Sequence, residues 1–243
     1  YRKSGSIMPV VVNSGDKIEI GTKLIIDAYS DIPNKLQLVS VKVNGEDIKS
    51  VDGTYTYTVM EGKDNIMISA EFATLYGLTI DEPQNGSIEV RLEDSDELLQ
   101  NGDKIQENAV VLIKPISDEN YKVSSLKING YEQIGFLEDG IYKHQVTKDL
   151  RISVSFKRVH TLTMGKVENG VIEVRISENG VLGELLGNDS KVEDGVVLSI
   201  KPVANDGYEL HSLLLNDNEI KDLLSDGVYL QTVKKNIVID AEF

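Results

Sequence analysis

The sequence predicts an all-β fold, or a β-dominated α+β fold, made of three small β modules in tandem. A long stretch, Ile113–Phe156, recurs without a gap as Ile200–Phe243. Short runs of alternating apolar residues are separated by Asn-Gly and Asp-Gly pairs, which is typical of β-strands joined by tight turns. No amphipathic stretch is long enough for a regular helix, and the best candidate, Glu219–Leu224, would form a turn or two.

The repeat sets the predicted domain boundaries. Asp139-Gly140-Ile141-Tyr142 returns as Asp226-Gly227-Val228-Tyr229, and a looser copy lies upstream around Asp52-Gly53-Thr54-Tyr55. Self-similarity of this kind indicates a chain of similar structural units. The closing phenylalanines Phe72, Phe156 and Phe243 place these units at residues 1–72, 73–157 and 158–243, which are called the first, second and third repeats below.

The junctions between the repeats are short. Ala73-Thr74 cannot act as a flexible linker, so the modules, β-grasp-like or sandwich-like, are expected to line up as an extended rod. Gly5-Ser6-Ile7 matches Gly86-Ser87-Ile88, but the second repeat carries a further apolar segment, Leu75–Ile80, ahead of this match. We therefore expect an N-terminally truncated first repeat from a longer protein, with any signal peptide removed or outside this sequence.

The first repeat begins with two predicted strands, Ile18–Ile20 and Leu24–Ala28. Asn44-Gly45 predicts a tight turn after the strand that ends at Val43, because this pair tolerates positive φ. The runs Thr54–Val59 and Ile66–Phe72 are predicted to form a closing hairpin. Its inward face would carry Ile66, Ile68, Ala70 and Phe72.

The second repeat follows the same order, and the third repeats it. A further closing hairpin is predicted from Gly140–Val146 and Leu150–Phe156. Residues 177–190 are predicted to be a loop, because the two repeats differ in length there and loops absorb such differences. The predicted core of the two later hairpins is Ile152, Val154, Phe156, Ile237, Ile239, Ala241 and Phe243.

The charge of the chain limits its partners. There are 25 Lys and Arg residues against 40 Asp and Glu residues, for a net charge of −15. This field disfavours nucleic acid, which needs a basic surface, and anionic membranes. No apolar run reaches the ~18 residues of a membrane span, so no membrane insertion is expected within this fragment.

Residues that could carry chemistry are few. His144, predicted to face solvent, His160, predicted at a repeat boundary, and His211 share no metal-ligand spacing, and cysteine is absent. Glu93–Glu97 clusters carboxylates but lacks the alternation and the glycine of a calcium loop, so a solvated loop is expected. We predict no catalytic residue, no metal ligand and no cofactor, and therefore no enzyme.

Aromatic residues recur at fixed positions and make up only 6% of the chain, with no tryptophan. A ligand site rarely needs to be built in every module, so recurring aromatic residues are predicted to belong to the core. The predicted core pairs are Tyr121 with Tyr208, Tyr142 with Tyr229, and Phe156 with Phe243.

The recurring pattern of Asn85-Gly86, Tyr121, Asn129-Gly130, Tyr142 and Phe156 resembles the divergent B-repeat modules of the internalin-B type. That resemblance covers nearly the whole chain. It implies small β modules used as spacers, stalks or adhesive segments in bacterial surface and secreted proteins, without a catalytic site.

Two functions are left open by the sequence. The favoured one is a non-enzymatic structural or adhesive repeat region of a bacterial cell-surface or secreted protein, acting as a spacer or protein-binding module. The alternative is a carbohydrate-binding accessory region of a surface glycan-utilisation system, in which Tyr131 or Tyr229 stacks on sugar. The expected partner is a host or cell-surface protein or glycan, and the expected location is extracellular or at the cell surface.

Overall fold

The computed structural model describes residues 11–62 and 65–243 and has an all-β fold, as predicted. Within these residues, helical structure is confined to two 3-10 turns, Ile134–Phe136 and Lys221–Leu223. The strands are β1 (Lys23–Ile26), β2 (Leu36–Val43), β3 (Glu46–Ile48), β4 (Ser50–Val51), β5 (Thr54–Thr58), β6 (Ile68–Ile80), β7 (Gly86–Leu92), β8 (Lys104–Gln106), β9 (Val110–Ser117), β10 (Tyr121–Ile128), β11 (Tyr131–Glu132), β12 (Tyr142–Gln145), β13 (Leu150–Met164), β14 (Gly170–Glu178), β15 (Val181–Leu185), β16 (Lys191–Glu193), β17 (Val197–Ala204), β18 (Ser212–Leu215), β19 (Asn218–Glu219), β20 (Tyr229–Thr232) and β21 (Ile237–Glu242).

The chain divides into two compact units. The first comprises residues up to 80 together with 90–112 and 143–151, and the second comprises 81–89, 113–142 and 152–243. Across the described ranges, none of the helical segments has the length and apolarity that a bilayer span requires.

In the first unit, β6 pairs antiparallel with β2 and with β8, while β1, β5 and β4 form a separate sheet. The predicted closing hairpin of Thr54–Val59 with Ile66–Phe72 is therefore wrong. The chain leaves one sheet after β5 and enters the other at β6. In the second repeat, β12 likewise pairs with β9, whereas β13 pairs with β10.

Both predicted repeat boundaries fall inside long strands. β6 continues through residues 72 and 73, and β13 continues through residues 157 and 158, without leaving the extended conformation. In β13, Ile152–Arg158 pairs with β10, and the following residues pair with β16 and, in parallel, with β21. One strand thus belongs to the sheets on both sides of the boundary.

The best-packed region lies in the third repeat, where two sheets enclose an apolar core. One is the four-stranded sheet β15-β14-β17-β20, and the other contains β18, β21 and the end of β13. This is the sandwich-like packing expected when alternating residues of two sheets face each other. The fully buried side chains that meet there are Leu162, Val174, Leu198, Ile200, Leu213, Val233 and Ile239.

The turn at Asn44 and the longer-range strand pairing beside it recur in all three repeats in the same register. Val43 pairs with Ile68, Ile128 with Ile152, and Leu215 with Ile239. A one-residue irregularity interrupts the pairing of β2 with β6 and of β10 with β13 at matching positions. Asn44, Asn129 and Asn216 begin the turn with φ angles of 53°, 51° and 47°, which asparagine tolerates better than most residues.

The predicted core is confirmed only in part. Ile152, Val154, Ile237 and Ile239 are buried. Half-buried residues are Ile66, Phe72, Phe156, Ala241 and Phe243. Ile68 and Ala70 are exposed, so their predicted burial is wrong, because the described strands of the first repeat do not enclose this face as those of the third repeat do.

Two further sequence predictions are wrong. Ile18–Ile20 is not a strand, because a turn forms there: the Thr22 amide donates to the Glu19 carbonyl at 3.2 Å. The predicted loop at 177–190 contains strand β15, which returns along β14 after Asn179-Gly180. Both turn residues have positive φ, 50° and 80°, which is the requirement of a tight hairpin turn.

Candidate functional sites

The junction between the second and third repeats is built around strand β13. His160 is 6% exposed, and its Nε2 lies 2.9 Å from Oδ1 of Asp194. The other oxygen of Asp194 accepts a hydrogen bond from Lys234 Nζ at 3.2 Å. These two bonds, first from His160 and then from Lys234, lower the pKa of the Asp194 carboxyl. A histidine this deeply covered has little surface to offer a substrate, so the pair acts as a structural hydrogen bond.

A second acid at this junction joins strands of both repeats. Glu193 in β16 accepts hydrogen bonds from Lys122 in β10 at 2.9 Å and from Lys157 in β13 at 3.0 Å. The bond from Lys122 is the main cause of the lowered pKa of Glu193. Both lysines are about half exposed, and such pairs contribute roughly 0–1 kcal/mol each.

The junction between the first and second repeats uses equivalent positions with different residues. On β6, Tyr76 pairs with Ile105 as His160 pairs with Val192 on β13. The Tyr76 hydroxyl donates to Glu107 at 3.3 Å, and an amide pair, Gln106 with Gln37 at 3.0 Å, replaces the lysine–glutamate contacts. Loss of solvent and then the Glu107 charge raise the pKa of the Tyr76 hydroxyl. This junction is therefore the less charged of the two.

The turn after β10 is held by hydrogen bonds to a glutamate carboxylate, and the same arrangement recurs after β18. Glu132 accepts hydrogen bonds from the Ser125 hydroxyl and from the Leu126 and Ile134 amides. In the third repeat, Glu219 accepts from the Ser212 hydroxyl, from the Leu213 amide at 2.9 Å and from the Lys221 amide at 3.0 Å.

These bonds to the ionised form change the acidity of both carboxyls. The Ser125 hydroxyl is the main cause of the lowered pKa of Glu132. In the third repeat, the hydrogen bond from Ser212, followed by those from the backbone amides, lowers the pKa of Glu219 to about 2. Sequence reasoning missed this contact, although the spacing of serine and glutamate is the same in both repeats.

An open groove lies in the first repeat between β1 and the start of β6. Its volume is about 1160 Å³. Its apolar lining comes from one sheet through Leu24 and Ile26, and from the chain entering the other sheet through Ile66 and Ile68. Asp16, Lys17 and Asp27 add charges of both signs.

The residues singled out as possible ligands are not gathered into a metal site. The run Glu93–Glu97 is a loop in which Glu93 pairs with Lys143 at 2.8 Å and Asp96 with Arg91 at 3.6 Å. Among the residues that the structure describes, no group of three or more histidines, cysteines and carboxylates is placed to hold a metal ion.

The three histidines lie in different environments. His144 is half-buried on the same strand face as Val146, so its predicted solvent-facing position is wrong. Burial, and then the charge of Lys148, lower the pKa of His144. His160 lies at the repeat boundary, as predicted, and His211 is exposed with its amide bonded to the Glu242 carbonyl at 2.7 Å.

The exposed aromatic residues are only partly those expected. Tyr208 is 52% exposed, so its predicted core position is wrong, because it lies at a turn before β18. Tyr229 is half-buried and packs against the core of the third repeat. Tyr131 and Phe136 are 71% and 69% exposed; Phe136 ends the 3-10 turn of the second repeat, and Tyr131 shortly precedes that turn.

The chain matches no protein-family model and no curated protein sequence. It is similar at low level to solved structures of the pilus adhesin SpaC from Lactobacillus rhamnosus GG. The open conformation has 11% identity and a TM-score of 0.27, over 91% of this chain and 43% of the adhesin chain. A C-terminal fragment has 10% identity and a TM-score of 0.25, over 69% of this chain and 96% of the fragment.

This chain therefore spans less than half the length of the first of those adhesin chains. Similarity at this level does not indicate a shared function. The resemblance to internalin-B-type repeats stays a prediction.

Proposed function

We propose that this chain is a non-enzymatic structural and adhesive region of a bacterial cell-surface or secreted protein. In this role the repeats space and present exposed turns and strand edges to a host or cell-surface protein or glycan. The observation that carries the proposal is the pair of uninterrupted strands, β6 and β13, at the repeat boundaries. A strand hydrogen-bonded on both sides of a boundary limits bending there, which is what a spacer needs.

The contacts around β13 support this role. Lys122 and Lys157 hold Glu193 across the boundary, and Thr161 donates its amide to Asn236 at 3.0 Å. On β6, Gly77 donates its amide to Asp149 at 2.8 Å in the equivalent arrangement. Each junction thus combines strand pairing with a hydrogen bond from a backbone amide of the long strand, β13 or β6, to a side-chain oxygen.

A distance measurement across the junction tests the spacer role. Since the chain has no cysteine, Lys127→Cys and Lys235→Cys place spin labels in the second and third repeats without further changes. We expect a narrow distance distribution, as wide as that of the control pair Glu209→Cys and Lys235→Cys within the third repeat. A distribution much broader than the control would contradict a stiff junction.

Glycan binding is the second candidate, favoured by the exposed rings of Tyr131 and Phe136. Exposed aromatic faces are common platforms for sugar rings, and a protein partner would also use them as anchors. A glycan array and a panel of host matrix proteins, probed with the intact chain, separate the two. Sugar binding that disappears in Tyr131→Ala and Phe136→Ala but persists in Leu223→Ala would favour the glycan reading.

A further inference from the structure

We propose that two copies of this chain associate through oppositely charged faces, a lysine face in the second repeat of one copy and a carboxylate face in the third repeat of the other. The two faces occupy equivalent positions, since β10 pairs with β13 as β18 pairs with β21. Both lie in the second compact unit. The proposal does not depend on the spacer role, because it concerns the outer side of these strands and not the stiffness of the junction.

The lysine face is the outer side of the pair formed by β10 and β13. Exposed Lys127 lies between two buried residues of β10, so it points away from the core. The register places Lys127 opposite Ser153 and Lys122 opposite Lys157. Ser153 and Lys157 are four residues apart on one strand and therefore share a face. The three lysines thus lie on the same side of the sheet.

The same positions of the third repeat are acidic. The changes from the second repeat to the third are Lys122 to Glu209, Ser153 to Asp240 and Ser155 to Glu242. In β21, Asp240 and Glu242 are exposed and follow buried Ile239 in alternation, so they point away from the core. The two faces therefore combine the same strand pairing with opposite charge.

Contacts within the chain leave part of this charge unpaired. Glu193 at the edge of the lysine face is bonded to two of its lysines. Glu132, opposite Lys127 on β11, accepts hydrogen bonds from a serine hydroxyl and from backbone amides. Among the described residues, Lys127, Asp240 and Glu242 take part in no ion pair. Carboxylates from another molecule can therefore still pair with the lysine face.

A second copy is the occupant that this charge pattern favours. Each chain carries one face of each kind, so an antiparallel pair of chains brings the second repeat of each against the third repeat of the other around a two-fold axis. The net charge of −15 opposes association. However, charges more than ~8 Å apart are largely screened at physiological ionic strength. Oppositely charged groups in contact then determine which faces meet.

The test follows self-association of the intact chain by sedimentation velocity at physiological ionic strength. Variant A carries Lys122→Glu and Lys127→Glu, and variant B carries Asp240→Lys and Glu242→Lys. We expect the wild type to associate as its concentration rises, and each variant alone to associate at least tenfold more weakly, because like charges then meet. A mixture of variants A and B should associate again, since each altered face then meets a face of opposite charge.

The control variant carries Lys35→Glu and Lys49→Glu, two exposed positions of the first repeat. It has the same change in net charge as variant A and should associate like the wild type. Thermal unfolding is used to check that every variant is folded before it is mixed. A control that loses association as variant A does would show that net charge, and not the lysine face, determines association.

Three further results would overturn the proposal. They are a wild type that stays monomeric at every soluble concentration, a mixture of folded variants A and B that stays monomeric, and association that variant A leaves unchanged. A monomeric wild type that binds heparin, with binding lost in variant A, would assign the lysine face to an anionic glycan instead. The spacer role is tested separately by the distances across β13, which are measured within one chain.

Discussion

The first and third repeats share the same strand pairing and the same turn, and they differ in how these are packed. Val43 pairs with Ile68 in one and Leu215 with Ile239 in the other, at the same place in the strand. The turn asparagine also acts identically: Asn44 and Asn216 each accept a hydrogen bond at 2.8 Å from the strand opposite. Yet Ile68 is 46% exposed, whereas Ile239 is fully buried.

This difference shows that turn geometry and burial have separate causes in this fold. Turn geometry is local, because it depends on asparagine at positive φ. The register of β2 with β6 is shared by the repeats although these strands are separated in sequence by β3, β4 and β5. Burial depends on strands that arrive from elsewhere in the chain, and in the third repeat these are β14 and the end of β13. Among the described residues of the first repeat, the turn and the pairing of β2 with β6 form without counterparts of these covering strands.

The largest expected effect comes from truncating the matching isoleucine of the two strand pairs, Ile239 or Ile68. Ile239→Ala removes fully buried methyl groups from a closed core and should cost about 2–5 kcal/mol of unfolding free energy. Ile68→Ala at the half-open site should cost about 1 kcal/mol or less. Chemical denaturation, followed by region-resolved exchange, measures both. Equal losses would show that the two sites are packed alike.

A smaller effect is expected where a phenylalanine ring covers a glycine. In Gly170→Ala the new Cβ would meet Phe243 at 2.7 Å, and the shift needed to relieve this overlap should cost about 1–3 kcal/mol. Gly187→Ala is the control, because no atom lies within 4 Å of the position of its Cβ. Thermal unfolding compares the two variants, and a Gly170→Ala chain as stable as the control would refute the ring contact.

The smallest effect concerns the carboxylate in the turn of the third repeat. The folded pKa of Glu219, about 2, lies below its ordinary value of 4.5. Ionised Glu219 therefore stabilises the fold above pH ~4.5, and this contribution is lost as the pH falls toward 2. We expect the stability difference between wild type and Glu219→Gln to be largest near neutral pH and to shrink across that window. Ser212→Ala, which removes the main cause of the shift, should reduce the same pH dependence; no change in either variant would contradict the assignment.

Much of the fold could be predicted from local patterns in the sequence. The all-β class, the turns at Asn44-Gly45 and Asn129-Gly130, and the burial of Ile152 and Ile239 follow from alternation and positive-φ residues. The pairing partners of the strands could not be predicted from these patterns, because β5 and β6 are neighbours in sequence but belong to different sheets. Alternation specifies which side chains share a face and does not specify which strand lies alongside.

The candidate sites were harder to predict for a related reason. The groove in the first repeat is visible only by comparison with the strand order of the third, which required the topology. By contrast, the hydrogen bond between Ser212 and Glu219 could have been predicted from the sequence. Ser125 and Glu132 have the same spacing in the second repeat. The position of His144 was predicted wrongly because a polar residue was expected on the solvent-exposed face of its strand. In the structure, His144 lies on the same face as buried Val146.

Amide hydrogen exchange on the intact chain tests the central claim most directly. The claim is that covering strands, and not register or turn chemistry, set the stability of these strand pairs. We predict that amides at the start of β6, from Ile68 to Phe72, exchange at least tenfold faster than those of β21, since a tenfold difference corresponds to only about 1.4 kcal/mol in opening free energy. Equal protection of the two strands would contradict the claim and show that the shared strand pairing alone is sufficient.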